Sequence, residues 1–218
     1  MAGVTLAKLG AVAEQRWGLL TTAQAEEVGV SRKQLSRLTA TGVLERVLQG
    51  VYRMPGSPEL EHQTTYATWL ALGGTGPRTS DGVAPVVAAG VTATLLHGIG
   101  DFLPDGLDFI VPARKSTRLP GVRLRVRKLT QDEVVPVEGV PTLTVERTIA
   151  DLLEQHIDRS LVADTLRDAV LQGKLLSPRD LVAYLEPVAA ARRLGDGISL
   201  AGDLVELSGV SPEGWAHG

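Results

Sequence analysis

Cysteine is absent from the 218 residues of this chain, and aromatic residues make up only 4% of it. Without cysteine the chain cannot form a disulfide frame, a thiolate nucleophile or a cysteine-ligated zinc site. The hydrophobic fraction of 44% therefore predicts a core built mainly from valine, leucine and alanine. No stretch approaches the roughly 20 apolar residues of a membrane span, and the first residues lack a basic segment followed by an apolar core. We expect a soluble, cytoplasmic protein that does not contact a membrane.

The net charge of −3 conceals an uneven distribution of charged residues. Residues 1–56 contain seven Lys/Arg and four Asp/Glu, whereas residues 113–130 contain seven Lys/Arg and no acidic residue. The segments 57–112 and 131–218 are both acidic. A chain with this distribution is not a general polycation, and we expect two local basic features.

Residues 21–54 carry the most informative pattern of the chain. Thr21 and Ser31 are each followed three positions later by glutamine, which is the pattern of a capping box at a helix start. Gly29 lies between the two predicted helices, where a left-handed turn costs least for glycine. This arrangement predicts a helix-turn-helix. The residues of its small shared core would be Val28, Val30, Leu35 and Leu38.

The second helix of this motif begins with basic and amide side chains, and helices of this type read base edges with their N-terminal residues. Arginine, lysine and glutamine have donors that match guanine and adenine edges in the major groove. Strands at 44–48 and 51–54, joined by a tight turn at Gln49-Gly50, predict a wing. A helical hairpin with a solvated charged face is the alternative interpretation. The residues predicted to contact DNA are Thr21, Ser31, Arg32, Lys33, Gln34, Ser36, Arg37, Arg46, Gln49 and Arg53.

The second basic feature has the alternation of a strand. Arg123, Arg125 and Arg127 alternate with apolar residues, so a period of two places the three arginines on one face. One interpretation is an amphipathic strand with a solvated outer face. The others are a sequence-independent phosphate contact and a surface for a partner. The candidate residues for phosphate or partner contacts are Arg114, Lys115, Arg118, Arg123, Arg125, Arg127 and Lys128.

We predict an α+β protein with two domains. Residues 1–56 would form an N-terminal winged helix-turn-helix domain, separated from the rest by Pro55-Gly56-Ser57-Pro58. Residues 57–218 would form a mixed α/β C-terminal domain with a small sheet and several helices. Its end, from about 194 onward, is expected to be partly a short helix and partly mobile. The predicted strands of this domain are 107–111, 122–128 and 134–137, and its predicted helices are 59–72, 86–96, 158–172, 178–193 and one that starts at Thr144.

Catalytic chemistry finds little support in the sequence. The four histidines have no metal-ligand spacing with carboxylates. Asp108 lies in an acidic stretch, but a metal-dependent nuclease would need a second acid on the next strand, and 122–128 contains none. The chain has no phosphate loop, nucleophile elbow or dinucleotide fingerprint. We therefore expect no catalytic site, no metal and no cofactor.

Three stretches resemble the AbiEi antitoxins of bacterial type IV toxin–antitoxin systems. The first, residues 18–56, is similar to the winged helix of that family, especially over LERVLQGVYRMPG. The second is ATLLHGI at 93–99, and the third is VEGVPTLTVERTIADLL at 137–153. The resemblance extends over about residues 5 to 185. The residues of the third stretch that match the family's motif are Thr144, Glu146, Arg147, Thr148 and Asp151.

This resemblance implies a function for each domain. The winged helix would bind inverted repeats of double-stranded DNA in its own promoter and repress the antitoxin–toxin operon. The C-terminal domain would counteract a nucleotidyltransferase-like toxin, which in many members of the family happens without a stable complex. The alternative is an ordinary winged-helix transcription factor whose C-terminal domain senses a ligand.

Overall fold

The computed structural model describes residues 2–103 and 105–211. The chain divides into two compact units, Met1–Gly76 and Pro77–Gly218. Each unit combines helices with a sheet, which confirms the predicted α+β class. No helix in these described ranges is long and apolar enough to cross a membrane.

The first unit has the predicted winged helix-turn-helix arrangement. Its strands form an antiparallel sheet in the order β1-β3-β2. Strand β1 was not predicted, because three residues are too few to show an alternation. The helices of this unit are α1 Ala2–Ala13, α2 Thr22–Glu27, α3 Arg32–Ala40 and α4 Gln63–Ala71, and its strands are β1 Leu19–Thr21, β2 Glu45–Leu48 and β3 Val51–Arg53.

Both predicted capping boxes form. The Thr21 hydroxyl accepts a hydrogen bond from the N–H of Gln24, and the Gln24 side chain accepts one from the N–H of Thr21 at 2.9 Å. Ser31 and Gln34 repeat this exchange at the start of α3. Gly29 has a φ of +78°, the left-handed conformation that the turn requires. The core beneath these helices consists mainly of Leu9, Leu20, Ala25, Val30, Leu35, Leu38 and Leu44.

Helix α4 belongs to the first unit, so the unit ends at Gly76 and not at the predicted residue 56. The prolines near 55–58 interrupt secondary structure, but the helix that follows them lies against the same sheet. Helix α4 packs against β1, β2 and β3, and its residues from Thr65 to Leu70 are all buried. A break in secondary structure is therefore not a break in packing here.

The second unit is built on a five-stranded mixed sheet with the order β6-β5-β4-β8-β7. Strands β5 and β6 are parallel, β4 is antiparallel to β5 and parallel to β8, and β7 and β8 form a hairpin. The strands of this unit are β4 Val87–Ala88, β5 Leu107–Val111, β6 Val122–Val126, β7 Val134–Val137 and β8 Val140–Leu143, and its helices are α5 Gly90–His97, α6 Val145–Glu154, α7 Arg159–Leu171, α8 Pro178–Arg192 and α9 Gly197–Ser208.

The predicted helix 86–96 is wrong in its first part. Val87 and Ala88 form the central strand β4, and the helix begins only at Gly90. All residues from Val86 to Gly90 are buried, so this run shows neither a period of two nor one of 3.6. A short, fully buried apolar run does not distinguish a strand from a helix by periodicity.

Helices α6 to α9 form the main core of this unit, in which Ile149, Leu166, Leu185 and Leu204 are fully buried. Helix α9 lies in the final segment, where a short helix is predicted, and it packs against α7 and α8. The predicted mobile end at 212–218 lies outside the described residues.

Candidate nucleic-acid interface

Helix α3 separates an apolar face from a basic face. Leu35 and Leu38 are buried. The side chains on the opposite side come in pairs one helical turn apart, which gives a continuous exposed stripe. This stripe consists of predicted contact residues, namely Arg32, Lys33, Ser36 and Arg37.

Three other residues that are predicted to contact DNA take part in N-terminal helix caps. Thr21 caps α2 and Ser31 caps α3. The Oε1 atom of Gln34 accepts hydrogen bonds from the backbone N–H and the hydroxyl of Ser31, at 2.8 and 2.9 Å. These side chains satisfy backbone donors that would otherwise lack partners. Their first role is therefore to orient α3.

Arg32 is partly engaged by an acid that the sequence interpretation did not include. Its Nε atom lies 3.0 Å from Oε1 of Glu26, near the end of α2. The Arg32 side chain is 79% exposed, and an exposed pair of this kind contributes only about 0–1 kcal/mol. A phosphate or a base edge can therefore replace Glu26 at little cost.

The wing is fixed to the helix-turn-helix at its tip. The carbonyl of Gly50 accepts hydrogen bonds from the backbone N–H of Thr22 at 2.8 Å and from the Thr22 hydroxyl at 3.3 Å. Two predicted contact residues, Arg46 and Gln49, are exposed on β2 and on the turn that follows it. The wing thus presents one cation and one amide from a position set by the start of α2.

Arg53 is part of the frame of the wing and does not point freely into solvent as expected. Its side chain is only 17% exposed, with Nη2 2.5 Å from Oε2 of Glu45 on β2. Its Nη1 atom donates to Oε1 of Gln63 on α4 at 3.2 Å. This guanidinium joins two strands and a helix, which sequence patterns alone could not show because its partners are up to ten residues away.

The arginines of β6 share one face, as the alternation predicted, and each of them binds an acid. Arg125 binds Asp108 on β5 at 3.0 Å and Asp151 on α6 at 2.5 Å. Arg123 binds Asp108 at 2.9 Å, and Arg127 binds Glu154. The interpretation as a solvated arginine face is therefore wrong for Arg125, whose side chain is 23% exposed. The apolar side of the strand is partly exposed.

These contacts belong to a larger network, which pairs three of the seven basic residues of segment 113–130 with carboxylates. Arg147, which is fully buried, binds Glu133 at 3.0 Å and Glu154 at 3.1 Å. Its guanidinium also lies 5.8 Å from the ring centroid of Tyr184, a cation–π distance. The network joins equal numbers of arginines and carboxylates, namely Arg123, Arg125, Arg127 and Arg147 with Asp108, Glu133, Asp151 and Glu154.

Asp151 is the buried centre of this network, and its side chain is 0% exposed. Burial by itself would raise the pKa of Asp151. The hydrogen bonds and positive charge of Arg125, the charge of Arg147 and the N–H of Gly90 outweigh burial and hold that pKa below its usual value. Asp151 is therefore ionised at neutral pH and fixes β6 to α6.

The motif residues that match the AbiEi resemblance have internal contacts. Thr144 caps α6, because its hydroxyl accepts from the N–H of Arg147 at 3.2 Å. Glu146 is buried and accepts from the N–H groups of Leu176 and Ser177, at 2.7 and 2.9 Å. This motif therefore specifies the junction between sheet and helix.

The other basic candidates of the second unit lie outside the network. Arg114, Lys115 and Arg118 are exposed in the loop after β5, and Lys128 is exposed after β6. Because β5 and β6 are parallel, Arg114 and Lys128 follow these strands at the same end of the sheet. We call these four residues the basic rim.

Comparisons with known proteins agree with the helix-turn-helix assignment. Residues 8–55 match the family model described as "Transcriptional regulator, AbiEi antitoxin", which confirms the predicted resemblance over these residues. The crystal structure of the RV2827C protein from Mycobacterium tuberculosis is similar over 98% of this chain and 80% of that chain, with a TM-score of 0.53 and 19% identity. At this identity the likeness concerns the fold alone. No curated protein matches the chain significantly.

Proposed function

We propose that this protein is a DNA-binding antitoxin that represses its own toxin–antitoxin operon and counteracts a nucleotidyltransferase-like toxin. The observation that carries the DNA-binding part is the exposed stripe of α3, on a winged helix that matches a family of transcriptional regulators. The second part rests on the resemblance of residues 93–99 and 137–153 to the same antitoxins. No catalytic role is proposed for either unit.

The stripe of α3 has the side chains that base reading in the major groove requires. Arg37 and Lys33 are one helical turn apart on the exposed side, and an arginine or lysine can donate to O6 and N7 of one guanine. Ser36 lies between them and can donate or accept at a base edge. Arg46 and Gln49 of the wing would then hold phosphates of the same half-site, which set position and carry no sequence information.

The assignment can be tested by DNA binding at several salt concentrations, with the full chain and its own upstream promoter region as the probe. Arg37→Gln should weaken binding by about 1–3 kcal/mol and relax preference at one base pair. Arg46→Gln should weaken binding to all sequences and reduce the salt slope by about one unit. Arg179→Gln, at an exposed arginine on α8, is the matched control and should bind like the wild type. If the Lys33→Gln/Arg37→Gln variant binds the promoter with full affinity and unchanged base preference, the stripe of α3 is not the surface that contacts the bases.

The antitoxin role is tested separately by growth rescue. The chain is co-expressed with the product of the adjacent open reading frame, and the Lys33→Gln/Arg37→Gln variant is compared with the wild type. We expect this variant to lose promoter binding and to retain rescue, because the second unit would supply the antitoxin activity. Rescue by residues 1–76 alone would contradict this division of labour.

A ligand-sensing second unit is the alternative, and one cavity favours it. This cavity of about 400 Å³ has apolar walls that include Val137 and Leu176, and it is also lined by His97, Lys174 and Glu146. Its size lies within the range of small-molecule sites, and Lys174 would pair with an acidic ligand. A small molecule that co-purifies with the protein and changes promoter affinity would support this alternative.

A further inference from the structure

The outer edge of β6 is an open strand edge. The N–H of Leu107 donates to the carbonyl of Gly121 at 2.7 Å, and the N–H of Arg127 donates to the carbonyl of Val111 at 3.2 Å. Because backbone groups alternate in direction along a strand, the odd-numbered residues of β6 address β5. Within the described ranges no strand pairs with the other side of β6. The residues whose N–H and C=O groups point outward are Val122, Leu124 and Val126.

This edge lacks the backbone devices that usually block strand addition. Strand β6 pairs with β5 over five consecutive residue pairs without a bulge, and its sequence contains no proline. The opposite edge of the sheet, β7, has Pro136 in its middle, which removes a donor there. The two edges therefore differ, and β6 is the one on which an extended segment can form a ladder.

The side chains along β6 determine which segment fits. On one face, Arg123 is 60% exposed. Its Nη2 atom donates to Asp108 and to the side-chain oxygen of Gln155, so its other N–H groups can donate to a second carboxylate. Arg125 on the same face is already held by two acids. On the other face, Val126 is 59% exposed beside the half-buried Leu124. A segment that lies beside β6 would meet positive charge on one face and apolar surface on the other.

A second copy of this chain is a poor occupant of the edge. Antiparallel self-pairing over the full length of β6, centred on Leu124, places Arg123 opposite Arg125 of the other copy on both sides of the axis. Like charges directly opposite each other destabilise a strand pair. The charge of this face instead fits an acidic strand.

We propose that the outer edge of β6 binds an extended segment of a protein partner in which acidic and apolar residues alternate. The main-chain ladder would supply affinity, and the alternate side chains would supply specificity, as in other cases of strand addition. An acid of the segment would face Arg123, and apolar residues would cover Leu124 and Val126. The site and the α3 stripe consist of different residues in different units, so failure of this proposal would leave the DNA-binding proposal untouched.

The probe for this proposal is a labelled synthetic peptide of about nine residues in which glutamate and valine alternate, titrated into the full chain. Its control peptide has lysine in place of glutamate. We expect the acidic peptide to bind at least about tenfold more tightly than the control, a difference of one decade in Kd. In the complex, amide hydrogen exchange should slow at Leu124 and Val126 and not at β7. Equal binding of both peptides, or no protection at these amides, overturns the proposal.

Two variants and one matched control locate the binding. Val126→Pro removes an outward N–H that does not bond to β5, and it should weaken binding of the acidic peptide at least about tenfold. Arg123→Gln should weaken it severalfold and reduce the salt dependence, whereas Arg167→Gln, at a similarly ion-paired exposed arginine on α7, should have no effect. Should Val126→Pro fail to fold, Arg123→Gln and the exchange data decide the matter. Self-association that Arg123→Gln strengthens would show that a second copy occupies the edge, and would overturn the proposed partner.

Discussion

Replacing Arg125 should destabilise the second unit far more than replacing Arg123, although both are arginines on the same face of the same strand. The Arg125 side chain is 23% exposed and binds two carboxylates, of which Asp151 is fully buried. Arg125→Gln leaves that carboxylate without its main partner, and breaking a buried pair costs about 3–5 kcal/mol. Arg123→Gln removes contacts with Asp108 and Gln155. Because the Arg123 side chain is 60% exposed and Asp108 keeps Arg125 as a partner, this change should cost only about 0–1 kcal/mol.

Urea unfolding followed by circular dichroism measures both free energies of unfolding. A double-mutant cycle then isolates the pair, because Asp151→Asn removes the charge that Arg125→Gln leaves unpaired. The loss in free energy of unfolding of the Arg125→Gln/Asp151→Asn variant should therefore be about 1–3 kcal/mol smaller than the sum of the losses of the two single variants. Equal costs for Arg125→Gln and Arg123→Gln, or strict additivity in the cycle, would refute the assignment of Arg125 as the internal counter-ion.

The pH dependence gives an independent check with a defined sign. In the wild type, burial raises and Arg125 lowers the pKa of Asp151, and the net lowering adds stability above the unfolded value of about 3.9. This stability is lost as the pH falls through the folded pKa. Arg125→Gln removes the main group that lowers the pKa of Asp151, so burial then raises this pKa. Protonation of Asp151 at lower pH should therefore stabilise the variant. The stability gap between wild type and variant should narrow between pH 7 and pH 4. If this difference in the free energy of unfolding stays constant with pH, the charge of Asp151 is not what destabilises the variant.

Three further predictions follow from the contacts. Replacing Arg114, Arg118 and Lys128 of the basic rim with glutamine should flatten the salt slope of DNA binding by about two to three units if each holds a phosphate, without changing base preference; an unchanged slope would remove the rim from the footprint. Ser31→Ala should cost the first unit about 1 kcal/mol in urea unfolding, because the α3 cap is lost, whereas Ser36→Ala on the same helix should stay within about 0.5 kcal/mol. Burial lowers the pKa of His97. The free energy of unfolding should therefore decrease as the pH is lowered from about 6.5 to the folded pKa, by at most about 1.4 kcal/mol per pH unit. His97→Gln should abolish this slope and the exposed His156→Gln should not.

The parts of the fold that the sequence predicted are those determined by local chemistry. The caps at Thr21 and Ser31, the left-handed turn at Gly29 and the tight turn at Gly50 depend on residues within a few positions of one another. Strand β4 was missed because its neighbours β5 and β8 lie about 20 and 50 residues further along the chain, and burial on all sides erased its periodicity. The boundary at residue 56 was misplaced for a related reason, since the packing of α4 on the sheet is not visible in its own sequence.

The basic segment 113–130 shows why a local charge count overstates the positive charge of a surface. Its period of two correctly placed Arg123, Arg125 and Arg127 on one face. Which side of the sheet that face occupies depends on α6, whose acids Asp151 and Glu154 follow β6 by more than 20 residues. A strand alternation defines two faces but not which of them is covered. The charge that reaches solvent is therefore that of the basic rim and of Arg123.

The same reasoning bears on how a partner of the second unit can be recognised. The C-terminal motif on which the resemblance to AbiEi antitoxins rests has internal contacts: Thr144 caps α6, Glu146 accepts from the turn before α8, and Asp151 binds Arg125 of β6. Side chains that are buried in internal contacts cannot also distinguish one partner from another, so this motif indicates a fold and not a partner. Discrimination requires exposed groups with unmet hydrogen-bonding or charge. In the described part of the second unit, the outward N–H and C=O groups of β6 have this character, and the half-exposed Arg123 lies on the same strand. Variants at Arg123 and Val126 should therefore affect recognition of a partner more than any conservative change in the shared motif that leaves the protein folded.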